Sequence, residues 1–189
     1  IAQGFTSRSG STSHISVVDQ WGNAAALTGS NGEGSGIVPQ GTGMMLNNML
    51  GEEDLSPNGF HQWQPNTRVS SMMAPTLVLD AKQRWRIVTG SGGSNRIRSA
   101  ILQVLTNLID FHMTVDQAVN GPRLHWEPDG LHLEPGFDSA AYRLDRFAPV
   151  VEWSSQNMFF GGVHTIIRRS DGVCLAAGDH RRSGTVATT

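Results

Sequence analysis

The chain has a single cysteine in its 189 residues, Cys174, so an internal disulfide is excluded and a zinc site has no thiolate pair to anchor it. Its apolar neighbours, Val173 and Leu175-Ala176-Ala177, predict an inert, buried thiol. Charge is also scarce. Charged residues make up 16% and hydrophobic residues 38% of the chain, both below the usual share for a soluble domain. Such a composition fits a surface partly covered by another chain, although 22 glycines dilute both classes. The net charge of −2 leaves nothing to attract a nucleic acid or an anionic membrane at long range, and the basic residues are scattered apart from His180-Arg181-Arg182. No apolar run approaches the length of a membrane span, and Ile1 to Arg8 lack the apolar stretch of a secretion signal. The chain reads as soluble as it stands, with any targeting signal of a longer precursor lying upstream. The seven histidines show no His-x-x-x-His spacing, so neither a metal site nor another cofactor is expected.

What is present is punctuated by glycine and by paired strands. Ile15 to Asp19 and Ala24 to Thr28 flank the turn Gln20-Trp21-Gly22-Asn23, a hairpin signal. Thr76 to Asp80 and Trp85 to Thr89 form a second pair, and Val163 to Arg168 with Val173 to Ala177 a third. Between them Ile97, Ile101, Leu102, Leu105, Leu108 and Ile109 recur at helical steps, predicting about four turns of helix after Gly92-Gly93. A shorter helix follows Thr114, whose hydroxyl and Gln117 make a capping box, and stops at Gly121-Pro122. A third helix is expected near 139–146. This order predicts an α+β fold with antiparallel sheet covered by helices. Residues 1–11 read as a flexible lead-in, and 30–66 as a long glycine-rich loop of the kind that is functional or disordered. The tryptophans, Trp63, Trp126 and Trp153 among them, read as core or subunit contacts.

The most informative stretch is Thr12-Ser13-His14-Ile15-Ser16-Val17-Val18-Asp19. On its own it is a polar loop entering a strand. It gains chemistry if the bond before Thr12 is cut, because an α-amino group titrates at about 7.7 to 8.0 and its neutral form can act as base for the hydroxyl beside it. Further along, Thr89-Gly90-Ser91-Gly92-Gly93-Ser94-Asn95-Arg96-Ile97 joins a strand to a helix. Glycines there let backbone N–H groups face an anion, and the helix start adds partial positive charge. The stretch lacks the Gly-Lys-Ser/Thr ending of a phosphate loop. Leu46-Asn47-Asn48-Met49-Leu50-Gly51-Glu52-Glu53-Asp54 and Val69-Ser70-Ser71-Met72-Met73-Ala74-Pro75-Thr76 lie between the two.

Taken in this order, the four stretches resemble the small C-terminal subunit of the gamma-glutamyltransferases, also called gamma-glutamyltranspeptidases or glutathione hydrolases. The first is similar to that family's Thr-Thr-His-x-Ser-Val-x-Asp-x-x-Gly-Asn opening, the third to its Ser-Ser-Met-x-Pro-Thr. Weaker likenesses lie in Gln117 to Arg123 and in Ala177-Gly178-Asp179-His180-Arg181. The resemblance implies the small-subunit part of an N-terminal-nucleophile hydrolase, an αββα sandwich spanning residues 12–189. It implies autoproteolysis at Ser11–Thr12, which frees Thr12 as the nucleophile. Ser30 then hydrogen-bonds its amino group and Asn31 contacts substrate. Glu52, Glu53 and Asp54 stand where the family binds the α-ammonium of the γ-glutamyl group, with Met49-Leu50-Gly51-Glu52-Glu53-Asp54 in place of the common Gln-Met-Asp-Asp arrangement. Ser70 and Ser71 would bind the α-carboxylate beside an arginine of the large subunit, and Gly93 and Ser94 would form the oxyanion hole.

The expected activity is therefore γ-glutamyl transfer or hydrolysis, with a small-molecule γ-glutamyl donor, an amino-acid or peptide acceptor, and the large N-terminal subunit of the same precursor as partner. The compartment implied is periplasmic or extracellular. With Thr12 internal to the chain, the unprocessed form is expected to have little activity. Two alternatives stay open: a related acylase acting on glutaryl or β-lactam side chains, and a non-catalytic interaction module.

Overall fold

A computed structural model describes residues 12–188. The lead-in over 1–11, and with it the residue before the expected scission, lies outside the described residues.

The first hairpin pairs β1 (Thr12–Val18) with β2 (Ala24–Ser30) in antiparallel register, Thr12 opposite Ser30 and Val18 opposite Ala24. Its turn is held by Asp19, whose carboxylate accepts from the N–H groups of Trp21 and Asn23. The strands β3 (Thr76–Leu79), β4 (Trp85–Gly92), β8 (Gly162–Arg168) and β9 (Cys174–Ala177) form a second antiparallel sheet in the order β3-β4-β8-β9. The two sheets lie face to face. His14 and Ser16 of β1 point at Gly90, Val88 and His164 of the larger sheet.

On the opposite face of that sheet pack α1 (Arg96–Ile109) and α2 (Val115–Asn120). Because alternate strand residues face opposite ways, Val163 and Ala177 point at the helices and join Ala100, Val104, Val115, Ala118 and Val119 in one apolar core. The helical period of α1 is as its sequence predicts, but Leu102 and Ile109 face outward, 65% and 49% exposed. The capping box is formed: Gln117 N–H donates to Thr114 Oγ1, and Thr114 N–H donates to the Gln117 side chain. Sheet, sheet and helices make three layers, and the outer face of the first hairpin is bare, with Ile15, Val17 and Leu27 exposed.

Three features depart from the sequence reading. A third sheet, β5 (Leu124–Glu127), β6 (Gly130–Leu133) and the parallel β7 (Val150–Glu152), is built of strands too short to register as periodic runs. The helix expected over 139–146 shrinks to turns and a 3-10 segment, Leu144–Arg146, because Arg143 adopts a left-handed conformation at φ 50° that no α-helix continues through. Cys174 is exposed rather than buried, since it opens the edge strand β9 between Val173 and Leu175, which are themselves exposed, and only Ala177 at the far end of the strand reaches the core. The segment 31–75 is largely irregular, with two 3-10 turns, Met49–Gly51 and Glu53–Leu55.

Candidate active site

The register of the first hairpin sets two hydroxyls side by side at its end. Thr12 Oγ1 lies 2.8 Å from Ser30 Oγ, which also accepts from the N–H of Gly32 at 3.1 Å. The main chain of Thr12 rests on β4. A Cβ built on Gly92 would stand 2.4 Å from the Thr12 carbonyl oxygen, so only glycine lets the strands approach this closely.

Below Thr12 the same face of β1 carries His14 and Ser16. Thr28 Oγ1 is 2.7 Å from His14 Nδ1, Ser16 Oγ is 3.0 Å from His14 Nε2, and Ser16 Oγ donates toward the carbonyls of Val88 and His164. With the Ser16 proton committed to a carbonyl, its oxygen accepts from Nε2–H, and Nδ1 is left to accept from Thr28. That is a neutral imidazole, and burial followed by the nearby His164 pulls the His14 pKa down to about 4. His14 is thereby a fixed prop under Thr12 rather than an acid.

Where β4 ends, Gly93 has φ 135° and Ser94 φ 54°. A Cβ on Gly93 would stand 2.6 Å from the Cα of Gly161, so this position too is reserved for glycine. Among the described residues neither the Gly93 nor the Ser94 N–H donates a main-chain hydrogen bond, while their carbonyls accept from Arg96 and Ile97 to start α1. Two N–H groups at a helix start, beside a hydroxyl, can receive an oxyanion.

Thr12, Gly93 and Ser94 line one cleft of about 430 Å³. One wall is acidic, with Glu33, Glu52, Glu53 and Asp54. Asn48 shapes it, its side-chain oxygen accepting from the N–H groups of Glu33 and Gly34 at 2.7 and 3.1 Å. Burial, then the charges of Asp54 and Glu33, hold the Glu52 carboxyl above the usual range, a cost that a bound cation would relieve. The cleft is also lined by Arg96 and Arg182, with Glu127 paired to Arg96 at 3.5 Å.

Of the residues singled out from sequence, the cleft brings together Thr12, Ser30, Glu52, Glu53, Asp54, Ser71, Gly93 and Ser94. Asn31 and Ser70 stand outside its wall. The Asn31 amide donates to the Met45 carbonyl at 3.4 Å, and Ser70 is exposed. Sequence reasoning missed Glu33, Asn48, Arg96, Glu127 and Arg182. Glu33 follows Ser30-Asn31 directly, Arg96 lies inside the glycine-rich junction, and Arg182 closes the one basic run, so position in a motif was the available signal for those three. Glu127 had none.

Two packed sheets, with a hydroxyl at the start of the first strand sharing a cleft with the glycine-rich end of β4, are a fold of the N-terminal-nucleophile hydrolase class. The chain belongs to the gamma-glutamyltranspeptidase family, whose sequence profile matches residues 3–189. It is 34% identical over 191 residues to the glutathione hydrolase proenzyme of Escherichia coli (strain K12), covering 92% of this chain and 32% of that protein. It is 33% identical over 181 residues to the acylase ACY 1 proenzyme of Pseudomonas sp. (strain SE83), covering 94% of this chain and 32% of that one. The chain thus spans about a third of the length of these relatives. Among solved structures, the gamma-glutamyltranspeptidase from Pseudomonas nitroreducens complexed with L-DON superposes with a TM-score of 0.77 at 26% identity, over 93% of this chain and 98% of that one.

Proposed function

We propose that this chain is the small-subunit part of an enzyme that transfers or hydrolyses γ-glutamyl groups, with Thr12 as nucleophile once the Ser11–Thr12 bond is cut. The freed α-amino group takes the proton of the Thr12 hydroxyl, and the oxygen attacks the γ-carbonyl carbon of the donor. The N–H groups of Gly93 and Ser94 hold the resulting oxyanion, a contribution of about 3 to 4 kcal/mol to the barrier for such a donor. Collapse breaks the C–N bond, the proton passes to the leaving amine, and a γ-glutamyl ester remains on Thr12. Water or an acceptor amine then attacks the ester and restores the hydroxyl. The carboxylates at 52–54 pair with the donor's α-ammonium, Ser71 with its α-carboxylate, and the large subunit of the same precursor completes the pocket. Before scission Thr12 lacks its base, so the uncut form has little activity.

The observation that carries this reading is the 2.8 Å contact of the Thr12 and Ser30 hydroxyls in a cleft shared with Gly93, Ser94 and the acidic loop. The test is to express the full precursor and follow intact mass alongside turnover of γ-glutamyl-p-nitroanilide. A fragment beginning at Thr12 should appear together with activity, and Thr12→Ala should abolish both. Turnover without such a fragment, or undiminished in Thr12→Ala, overturns the assignment. The acylase relative gives a second reading, on which the glutaryl anilide would be the better substrate of the same Thr12.

A further inference from the structure

The cleft is lined by both signs of charge, and short contacts lead from Thr12 toward each. On one side the Ser30 hydroxyl leads to Gly32, whose Cα lies so near Glu52 that an added Cβ would stand 2.6 Å from the carboxylate. On the other the Thr12 carbonyl rests on Gly92, and a Cβ on the adjacent Gly93 would lie 3.9 Å from Nη2 of Arg182. The stem of Arg182 fills the space over Gly162, where an added Cβ would meet its Cδ, Cγ and Cβ at 2.5, 2.7 and 2.9 Å. Its place is fixed by the 3-10 turn His180–Arg182, whose start is capped by Asp179.

The arginines around this end are matched to carboxylates with one left over. Arg96 pairs with Glu127 at 3.5 Å, Arg123 pairs with Asp179, and Arg181 pairs with Glu134. Among the described residues no carboxylate lies within ion-pair distance of Arg182. Its Nη2 donates a long bond of 3.4 Å to the Met158 carbonyl, and its Nε is buried without an acceptor. Burial, then the charge of Arg96, push its pKa down against a smaller upward pull from Asp179, which is already paired with Arg123 and Arg181. An arginine with no carboxylate among the described residues at ion-pair distance is stabilised by an anion that enters the cleft.

We infer that Arg182, backed by Arg96, binds the free carboxylate of the group beyond the scissile γ-amide: the leaving amino acid or peptide of the donor, and the acceptor that replaces it. This rests on the γ-glutamyl reading above and adds to it the side chain that reads the acceptor's carboxylate, so the preference it sets is for an unblocked C-terminus. Arg182 does not touch the reacting carbonyl, so its effect falls on the choice of acceptor.

The experiment compares glycylglycine with glycylglycinamide as acceptors for the processed two-subunit enzyme, with γ-glutamyl-p-nitroanilide as donor. The unsubstituted enzyme is expected to favour the acid over the amide by about tenfold or more in kcat/KM, the worth of one charge-assisted contact. Arg182→Gln should bring that ratio close to one through a higher KM for the acid, and Arg182→Lys should retain part of it. If the Gln variant does not mature, the ratio in the unsubstituted enzyme and in the Lys variant decides. An unsubstituted enzyme that cleaves the anilide yet shows no preference for the acid overturns the inference and leaves the γ-glutamyl reading intact. That is the result expected if a carboxylate of the large subunit neutralises Arg182. A preference that survives Arg182→Gln overturns it equally. Failure to cleave the anilide at all refutes the γ-glutamyl reading instead.

Discussion

The imidazole of His14 occupies the space that any side chain at position 90 would need. A Cβ built on Gly90 would stand 2.3 to 2.8 Å from three ring atoms. The ring is held from both ends by Thr28 and Ser16 and has nowhere to retreat. Gly90→Ala should therefore cost about 3 kcal/mol, the upper range for overpacking a filled core. Urea denaturation would measure it. The strand lifts off at the end that bears Thr12, so turnover of γ-glutamyl-p-nitroanilide should fall with it. A variant as stable as the parent would mean that the two sheets are not packed through this ring.

The same ring makes stability depend on pH. His14 has a pKa near 4 when folded against 6.5 for an ordinary histidine, so between these values the unfolded chain takes up a proton that the folded one refuses. Its contribution is complete above about pH 6.5, erodes as pH falls toward 4, and is level below that. Replacing it by His14→Gln should flatten that portion of the stability curve. The denaturation midpoint of parent and variant at pH 7.5, 6, 5 and 4 gives the comparison, and parallel curves would contradict a buried neutral imidazole.

Ser94 sits at φ 54°, where a side chain costs about 1 kcal/mol or more that glycine does not pay. Ser94→Gly should leave the melting temperature unchanged or slightly raised and preserve turnover, because the backbone N–H is retained. Ser94→Val, branched at Cβ, should lose both. Equal activity of the Gly and Val variants would separate the position from the reaction.

Asp179 is fully buried and accepts from Arg123, the Arg123 pair being closed off from water, while its second oxygen accepts from Arg181. Burial alone would raise its pKa, but the two guanidinium charges outweigh that and keep it below the usual value. Asp179→Asn preserves shape and leaves two buried cations against Glu134 alone, for an expected loss of about 3 to 5 kcal/mol. Thermal unfolding would register this. The turn that carries Arg182 starts at Asp179, so the acid-over-amide preference should weaken in the same variant.

Much of this architecture is legible along the chain because its signals are local. The hairpins at 12–30, 76–92 and 162–177 and the two helices each depend on a turn, a cap or a period within a dozen residues. The third sheet is not legible, since β7 pairs with β6 in parallel across sixteen intervening residues and strands of three or four residues carry no period. The site divides in the same way. Thr12, Gly93 and Ser94 lie in motifs whose resemblance to the family singles them out, and the fold sets all three in one cleft. Asn31 and Asn48 illustrate the limit: both are amides in the same loop, and only folding reveals that Asn48, through the N–H groups of Glu33 and Gly34, shapes the acidic wall. Arg182 has meaning only once its neighbours' charges are paired off in space.

Glu52 offers the sharpest separation of a γ-glutamyl from a glutaryl donor. Its carboxyl is held above the ordinary 4.5 first by burial and then by Asp54 and Glu33, so it ionises most readily when a cation arrives. A donor with an α-ammonium supplies that cation, and one with a bare glutaryl chain does not. Glu52→Gln should then raise KM for γ-glutamyl-p-nitroanilide by about tenfold while leaving the glutaryl anilide nearly unaffected. In the parent enzyme the γ-glutamyl KM should climb as pH falls through the raised pKa of Glu52, since the neutral acid no longer attracts the ammonium, and the variant should lack that limb. KM measured for both anilides from pH 4 to 7 provides the check. A glutaryl KM that rises as steeply as the γ-glutamyl one would place Glu52 in the structure of the loop and not opposite the substrate amine.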